Sequence, residues 1–388
     1  MASKRSVQVG RVTVGGGAPV AVQSMTTTQT NDPKATLAQI HELFEAGCEI
    51  VRVAVPGLPD ANALPEIVRF SPLPVVADIH FNASLALKAI EADVACVRIN
   101  PGNIGGDDKV IQVVEAAKAK NIPIRIGMNM GSLPMHLRSM AVPSPAEALV
   151  EGALEEVRLL EKLGYDNYKI SVKASDPVVM VNAYRQLAER VDCPLHLGVT
   201  EAGTPFSGTI KSSVGLGALL LDGIGDTIRV SLSAPPVEEV KVAWEVLKAT
   251  GLRKKGFNMI ACPSCGRADV EIVDLAGQVE ERLNADYANE IMEIAVMGCA
   301  VNGPGEAGNA DFGIAGGRHV GFLYAHGEVL RKVPQAELVD QLFHEIDKWI
   351  AAGKPDHRAK EAFGKHEGAE GSPDDAVGPR VTLIGAPE

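Results

Sequence analysis

The sequence predicts an α/β protein, a (β/α)8 TIM barrel followed by a smaller α+β domain, and three observations carry that reading. Eight short β-branched runs alternate with longer segments of helical period between residues 19 and 249. The chain has 388 residues, 46% hydrophobic and 22% charged, too long for one core, since cores stop growing at roughly 250 to 300 residues. A polar stretch at Gly251 to Lys255 then separates this block from one of different pattern. Strict strand–helix alternation implies parallel pairing with right-handed crossovers. Eight such units fit a closed barrel, whereas an open doubly wound sheet more often has about five or six.

In order, strands are expected at Pro19 to Ser24, Cys48 to Ala54, Pro74 to Ile79, Cys96 to Asn100, Ile124 to Met128, Asn167 to Val172, Pro194 to Val199 and Thr227 to Ser231. Helices are expected between them, for example at Pro33 to Ala46, Ser144 to Leu163, Asp176 to Arg190 and Val237 to Ala249, several opening on proline. The second block predicts strands at Asn258 to Ala261, Ile291 to Val296 and His319 to Tyr324, with helices at Ala268 to Leu283 and Gln335 to Ala351. The expected domains are therefore 1–250, 251–353 and a disordered tail at 354–388, whose composition is rich in Gly, Pro and charge.

The charge balance excludes some functions. Lys and Arg total 37 against 49 Asp and Glu, a net −12 with no long basic run, so no nucleic-acid partner is expected. The N-terminus lacks the apolar stretch of a signal peptide, and no segment approaches the roughly 20 apolar residues of a membrane span, so a cytoplasmic protein is expected. Six cysteines are too few for a disulfide framework in a chain of this length.

Barrel chemistry sits where strands end, on the C-terminal face. Those positions supply Arg52, Asp78 and His80, Arg98 and Asn100, Arg125 and Asn129, Ser171 and Lys173, Thr200 and Glu201, and Arg229 and Ser231. Any one arginine alone reads as a structural ion pair. Four Arg and one Lys against two carboxylates read instead as a site for a dense anion, because guanidinium groups bind phosphate oxygens in bidentate fashion. The same surplus argues against a glycosidase, which needs two opposed carboxylates. Gly215 and Gly217 could offer backbone N–H groups to a phosphate or simply allow close packing.

Cys48, Cys96 and Cys193 fall at strand entries and read as buried thiols. Cys262, Cys265 and Cys299 lie in Gly/Pro-rich loops and read as metal ligands. Zinc would need a fourth ligand such as His319 or His326, while an iron–sulfur cluster would leave one iron for an oxygen ligand, with Glu306 nearest in sequence. A thioredoxin-like pair leaves the third thiol unexplained.

Taken together, the motifs resemble the 4-hydroxy-3-methylbut-2-enyl diphosphate synthase family. The resemblance runs from about Val7 to Ile350 through Ala21-Val-Gln-Ser-Met-Thr, Asp78-Ile-His-Phe, Arg98-Ile-Asn-Pro-Gly-Asn, Arg125-Ile-Gly-Met-Asn129, His196-Leu-Gly-Val-Thr-Glu-Ala-Gly, Cys262-Pro-Ser-Cys265-Gly-Arg and Gly298-Cys-Ala-Val-Asn-Gly-Pro-Gly-Glu306. It implies a 4Fe-4S cluster on Cys262, Cys265, Cys299 and Glu306, and a substrate, 2-C-methyl-D-erythritol 2,4-cyclodiphosphate, opened with two electrons and loss of water. It also implies flavodoxin or ferredoxin as donor, and a homodimer in which one barrel mouth faces the partner's cluster. A pterin-binding barrel transferase with a zinc appendage and an iron–sulfur electron carrier are the competing readings. Glu201 either orients a guanidinium or delivers the proton that lets a hydroxyl leave as water.

Overall fold

The computed structural model describes residues 3–100, 104, 106–268, 270–299, 303–317 and 319–355. The chain divides into two compact units, Met1–Lys255 and Gly256–Glu388. Most of the tail expected at 354–388 lies outside the described residues.

A short antiparallel hairpin, β1 (Ser6–Val9) and β2 (Val12–Gly15), precedes the barrel. Eight parallel strands follow: β3 (Ala21–Met25), β4 (Ile50–Ala54), β5 (Val75–Asp78), β6 (Cys96–Ile99), β7 (Ile124–Asn129), β8 (Tyr168–Lys173), β9 (His196–Leu197) and β10 (Thr227–Ile228). They run in the order β8-β7-β6-β5-β4-β3-β10-β9, and a parallel bridge between Ile170 and Leu195 brings the two ends together. The expected eight-stranded barrel is present.

Its helices start where the sequence places prolines. α1 (Pro33–Glu45), α6 (Pro145–Lys162), α7 (Pro177–Ala188), α8 (Pro205–Leu221) and α9 (Pro236–Ala249) each carry proline in the first turn, where its missing N–H costs nothing. Asp32 caps α1 through Ala35 N, and Asp176 caps α7 through Val178 N. Alternate strand residues such as Val51, Val53, Val97, Ile99, Ile124 and Ile126 pack outward in one cluster with residues of these helices.

Two expected strands are shortened. β9 and β10 hold two residues each, and around β9 side chains take over ladder bonds. The buried Tyr184 hydroxyl accepts from Val172 N and donates to the His196 carbonyl, wedging between β8 and β9. The Asp226 carboxylate likewise accepts from Leu195 N at 2.7 Å. The stretch Gly251 to Lys255, expected to open the second domain, belongs to the barrel unit. Arg253 there donates to the Val20 carbonyl and pairs with Glu49, and Lys255 donates to the Ala46 carbonyl.

The second unit has a five-stranded sheet: β11 (Asn258–Ala261), β12 (Glu293–Met297) and β13 (Phe312–Ala315) are parallel, and β14 (Val320–Ala325) and β15 (Glu328–Pro334) antiparallel. One face packs Ile294, Val296, Ile314 and Leu323 against α10 (Ile272–Asp286) and α12 (Leu338–Ala351). The other packs Ala295, Met297 and Ala315 with Ala307 of α11 (Gly303–Asn309). β13 and β15 were not expected. The turn joining β14 to β15 has His326 and Gly327 both at positive φ (52° and 92°), the geometry of a tight hairpin that a His-Gly pair signals only weakly. α10 starts at Ile272 rather than Ala268, whose N–H is committed to the Cys265 carbonyl.

Candidate active site

The barrel interior changes character along each strand. At its N-terminal end Ala21, Ile50, Val76 and Cys96 form an apolar layer that Val7, Val9 and Val14 of the hairpin seal. Two residues further on, the same inward face carries Gln23, Arg52, Asp78 and Arg98. Strands β7 and β8 add Arg125, Lys169, Ser171 and Lys173, β9 adds His196, and Arg229 follows β10. All but Arg229 are buried, Arg125 to 1% and Lys169 to 0% exposure.

Few of these charges are compensated. Asp78 pairs with Arg52 at 3.5 Å and with Arg98 at 3.3 Å, and His80 lies 3.0 Å from Arg98. Burial would raise the Asp78 carboxyl, but Arg52, the His80 hydrogen bond and Arg98 hold it well below the usual carboxylate range. Arg98 also donates to the Gly127 carbonyl at 2.8 Å, and Asn100 accepts from Gly127 N at 3.0 Å. Gly127 is required there, because a Cβ would lie 2.4 Å from Arg98 Nε. From the return helix α9, the buried Glu239 reaches Arg229 at 3.4 Å, Ser24 at 3.2 Å and Leu232 N at 3.0 Å.

Six cations thus face three carboxylates, Asp78, Glu239 and Asp226, among the described residues of this group. Burial, and then the mutual repulsion of the arginines, depress the Lys173 ammonium well below its ordinary value. Among the described residues, Arg98 Nε, Arg125 Nε and Nη1, Lys169 Nζ and Arg229 Nε have no hydrogen-bond partner. Buried donors left unmade cost about 1–3 kcal/mol each. A dense anion entering from the mouth would supply the missing acceptors.

Of the residues expected at the mouth, Arg52, Asp78, Arg98, Asn100, Arg125, Ser171 and Lys173 line this well. Ser171 already donates to the Ile126 carbonyl at 3.3 Å. Asn129, Thr200, Arg229 and Ser231 are half-buried at the rim, and His80 is exposed there beside a cavity of about 290 Å³ that also touches Met25, Asp78 and Phe81. Glu201 differs from expectation. It is exposed, sits on a left-handed turn at φ 52°, and forms no ion pair with the arginines among the described residues. Glu239 orients Arg229 instead.

Gly215 and Gly217 lie inside α8; Gly215 packs closely, since a Cβ there would meet Val199 at 2.8 Å, whereas a Cβ on Gly217 would meet nothing within 4 Å. The sequence reading missed Gln23, Lys169, His196 and Glu239. Lys169 was visible as the residue two before Ser171 on an inward face of period two, whereas Glu239 is an ordinary acidic helix residue by pattern.

Cys48, Cys96 and Cys193 are buried free thiols, and burial pushes Cys48 and Cys193 up to about 12. The other three lie at the C-terminal ends of parallel strands: Cys262 directly after β11, with its N–H on the Val296 carbonyl, Cys265 in the loop beyond, and Cys299 two residues after β12. Hydrogen bonds from the Arg267 backbone and guanidinium draw the exposed Cys265 thiol below its ordinary value. Arg267 in turn feels all three thiols. Glu306 is exposed on the first turn of α11. Among the described residues no three of these donors already converge in ligating arrangement; residues 300–302 between Cys299 and α11 lie outside them. His326 is at the other end of the sheet, paired in register beside the start of β13 and packed on Phe312, so it cannot complete a zinc site with these thiols. His319 is at the same end as the thiols.

The model for the GcpE TIM-barrel domain matches residues 4–244, and that for the GcpE protein C-terminal domain matches 258–348. A 4-hydroxy-3-methylbut-2-en-1-yl diphosphate synthase (flavodoxin) of Geobacter sulfurreducens is 56% identical over 350 residues, 90% of this chain and 99% of the relative. The synthase of Salinispora tropica is 56% identical over 344 residues, 88% of each chain. That of Geobacillus thermodenitrificans is 52% identical over 369 residues, 94% of this chain and 97% of the relative. With both units matched and identity above half across nearly the whole length, the chain belongs to the 4-hydroxy-3-methylbut-2-en-1-yl diphosphate synthase (GcpE) family.

Proposed function

We propose that this chain is an oxidoreductase that converts 2-C-methyl-D-erythritol 2,4-cyclodiphosphate to 4-hydroxy-3-methylbut-2-enyl diphosphate in the non-mevalonate isoprenoid pathway. Two electrons and a proton enter. The phosphate oxygen leaves one ring carbon, the neighbouring hydroxyl leaves as water, and a double bond forms between the two carbons. The observation that carries this reading is the well of buried, uncompensated cations, which has no use without a dense anion.

Arg52, Arg98, Arg125, Lys173 and Arg229 bind the diphosphate, with Asp78 and Glu239 holding guanidinium groups in place. His80, Asn100, Asn129, Ser171, Thr200 and Ser231 supply polar contacts around it. Glu201, exposed at the rim on a left-handed turn, protonates the leaving hydroxyl. Such backbone strain is kept where function needs it.

Cys262, Cys265, Cys299 and Glu306 hold a 4Fe-4S cluster, for which three thiols past the C-terminal ends of two neighbouring parallel strands, beside Arg267, are a suitable donor set. When bound, the cluster supplies electrons one at a time and an iron whose oxygen ligand is exchangeable. Flavodoxin, named for the relatives, or ferredoxin delivers the electrons. The protein works in the cytoplasm as a homodimer, the barrel mouth of one protomer facing the cluster of its partner.

Anaerobically purified protein should contain about four iron and four sulfide per chain and form the linear diphosphate from the cyclic one with reduced flavodoxin. Zinc without iron, or a full cluster with no product, would overturn the reading.

A further inference from the structure

Lys169 is a cation of the barrel interior that the reaction above leaves unused. It stands directly across the ladder from Arg125, four residues before Lys173 on the same strand. Its Nζ is fully buried and has no hydrogen-bond partner among the described residues. The groups around it are Cys96 from β6, Arg125 from β7, His196 from β9, Asp226 from the turn before β10, and Lys173 on its own strand. Asp226 is the acid among them, and its carboxylate is already engaged by Leu195 N and by Ser3 Oγ at 2.7 Å. Burial raises the Cys96 thiol, which keeps it neutral. Burial keeps His196 neutral too, with Lys173 and Arg125 adding to the effect.

An ammonium in such a place has little compensation. Burial, and then the neighbouring Arg125, outweigh the help of Asp226 and bring Lys169 down to about 8. An anion bound among the arginines changes the field it feels, because negative charge then offsets the repulsion from Arg125.

We propose that Lys169 is a positioning residue whose charge, in alkaline solution, follows occupancy of the anion site: there it gives up its proton when the mouth is empty and takes one up when the cyclic diphosphate binds, so that a charged ammonium stands behind Arg125. This rests on the functional reading above. The substrate makes the effect clean, since each phosphorus of a cyclic diphosphate bears one strongly acidic hydroxyl and nothing that titrates near neutrality. The sign is set by linkage. Below pH 8 the amine is already charged in the free protein and little is exchanged; above it, binding draws a proton from solvent and affinity falls as pH rises, by at most tenfold per pH unit.

The test is calorimetric titration of the oxidised holoenzyme with 2-C-methyl-D-erythritol 2,4-cyclodiphosphate, without electron donor. It is run at pH 6.5 and 8.5, the latter in Tris and in bicine, which differ in ionisation enthalpy. Uptake of most of one proton is expected at pH 8.5 and little at pH 6.5. Lys169→Met and Lys169→Arg, checked for folding by cluster absorbance and thermal unfolding, should each bind with less uptake at pH 8.5 than the unaltered protein, any remainder being that of Lys173. Absence of uptake in the unaltered protein, or equal uptake in Lys169→Met, would overturn the proposal. Failure of the cyclodiphosphate to bind at any pH would instead overturn the functional reading.

Discussion

The two units place their chemistry in opposite parts of a sheet. In the barrel it is on the strands themselves, facing inward: Arg52, Arg98, Arg125 and Lys173 alternate with residues that pack outward on the helices. In the second unit both faces of the sheet are apolar, and the thiols lie on loops past the strand ends. The difference follows from what each site must do. A closed barrel has a helix layer to supply stability on its outer face, so its interior can spend strand positions on charges in a rigid, desolvated setting where electrostatics are strong. An open sheet has no interior to spare, and a metal site built of loop ligands can be completed by the metal it holds.

That contrast can be broken or sharpened at graded cost. The largest effect is expected from Cys299→Ser, which should abolish iron incorporation and turnover while the barrel keeps its own thermal transition, since each unit has a separate core. Iron, sulfide and activity assays decide it, and full retention of all three would discard the ligand assignment. Glu201→Gln comes next. Turnover should drop roughly 100-fold, the scale of lost general acid catalysis, with substrate binding preserved. Near-normal turnover would leave Glu201 as a rim residue only.

Loss of one arginine is a smaller, graded change. Arg98→Ala removes a charge-assisted contact and frees Asp78 from one partner, at about 1.5–3 kcal/mol or one to two decades in KM. An unchanged KM would count against the diphosphate reading. The smallest effect on activity is expected from Ile50→Val in the sealed layer beneath, which should lower stability by about 0.5–1.5 kcal/mol and leave KM untouched. If KM rose as much as in Arg98→Ala, the two layers would not be functionally distinct.

By itself the sequence determined the architecture and pointed to a set of candidate reactive residues. Strand–helix alternation and prolines at helix starts are local signals, set by backbone sterics within a few residues, and so the barrel was legible. Cys262, Cys265 and Cys299 stood out because so few cysteines occur in loops. Only the tertiary structure decided which charges meet. Glu201 and Glu239 are both single acidic residues by sequence, yet one is exposed on a left-handed turn and the other is buried against Arg229 from a helix ten residues on. Tyr184 shortens β9 from a helix that pattern reading treats as mere packing. Lys169 and Lys173 differ by two inward steps along a strand, and those steps separate a cation open to an anion at the mouth from one held beneath it. Burial and pairing are sums over neighbours distant in sequence, and only the closed ring of strands brings those neighbours together.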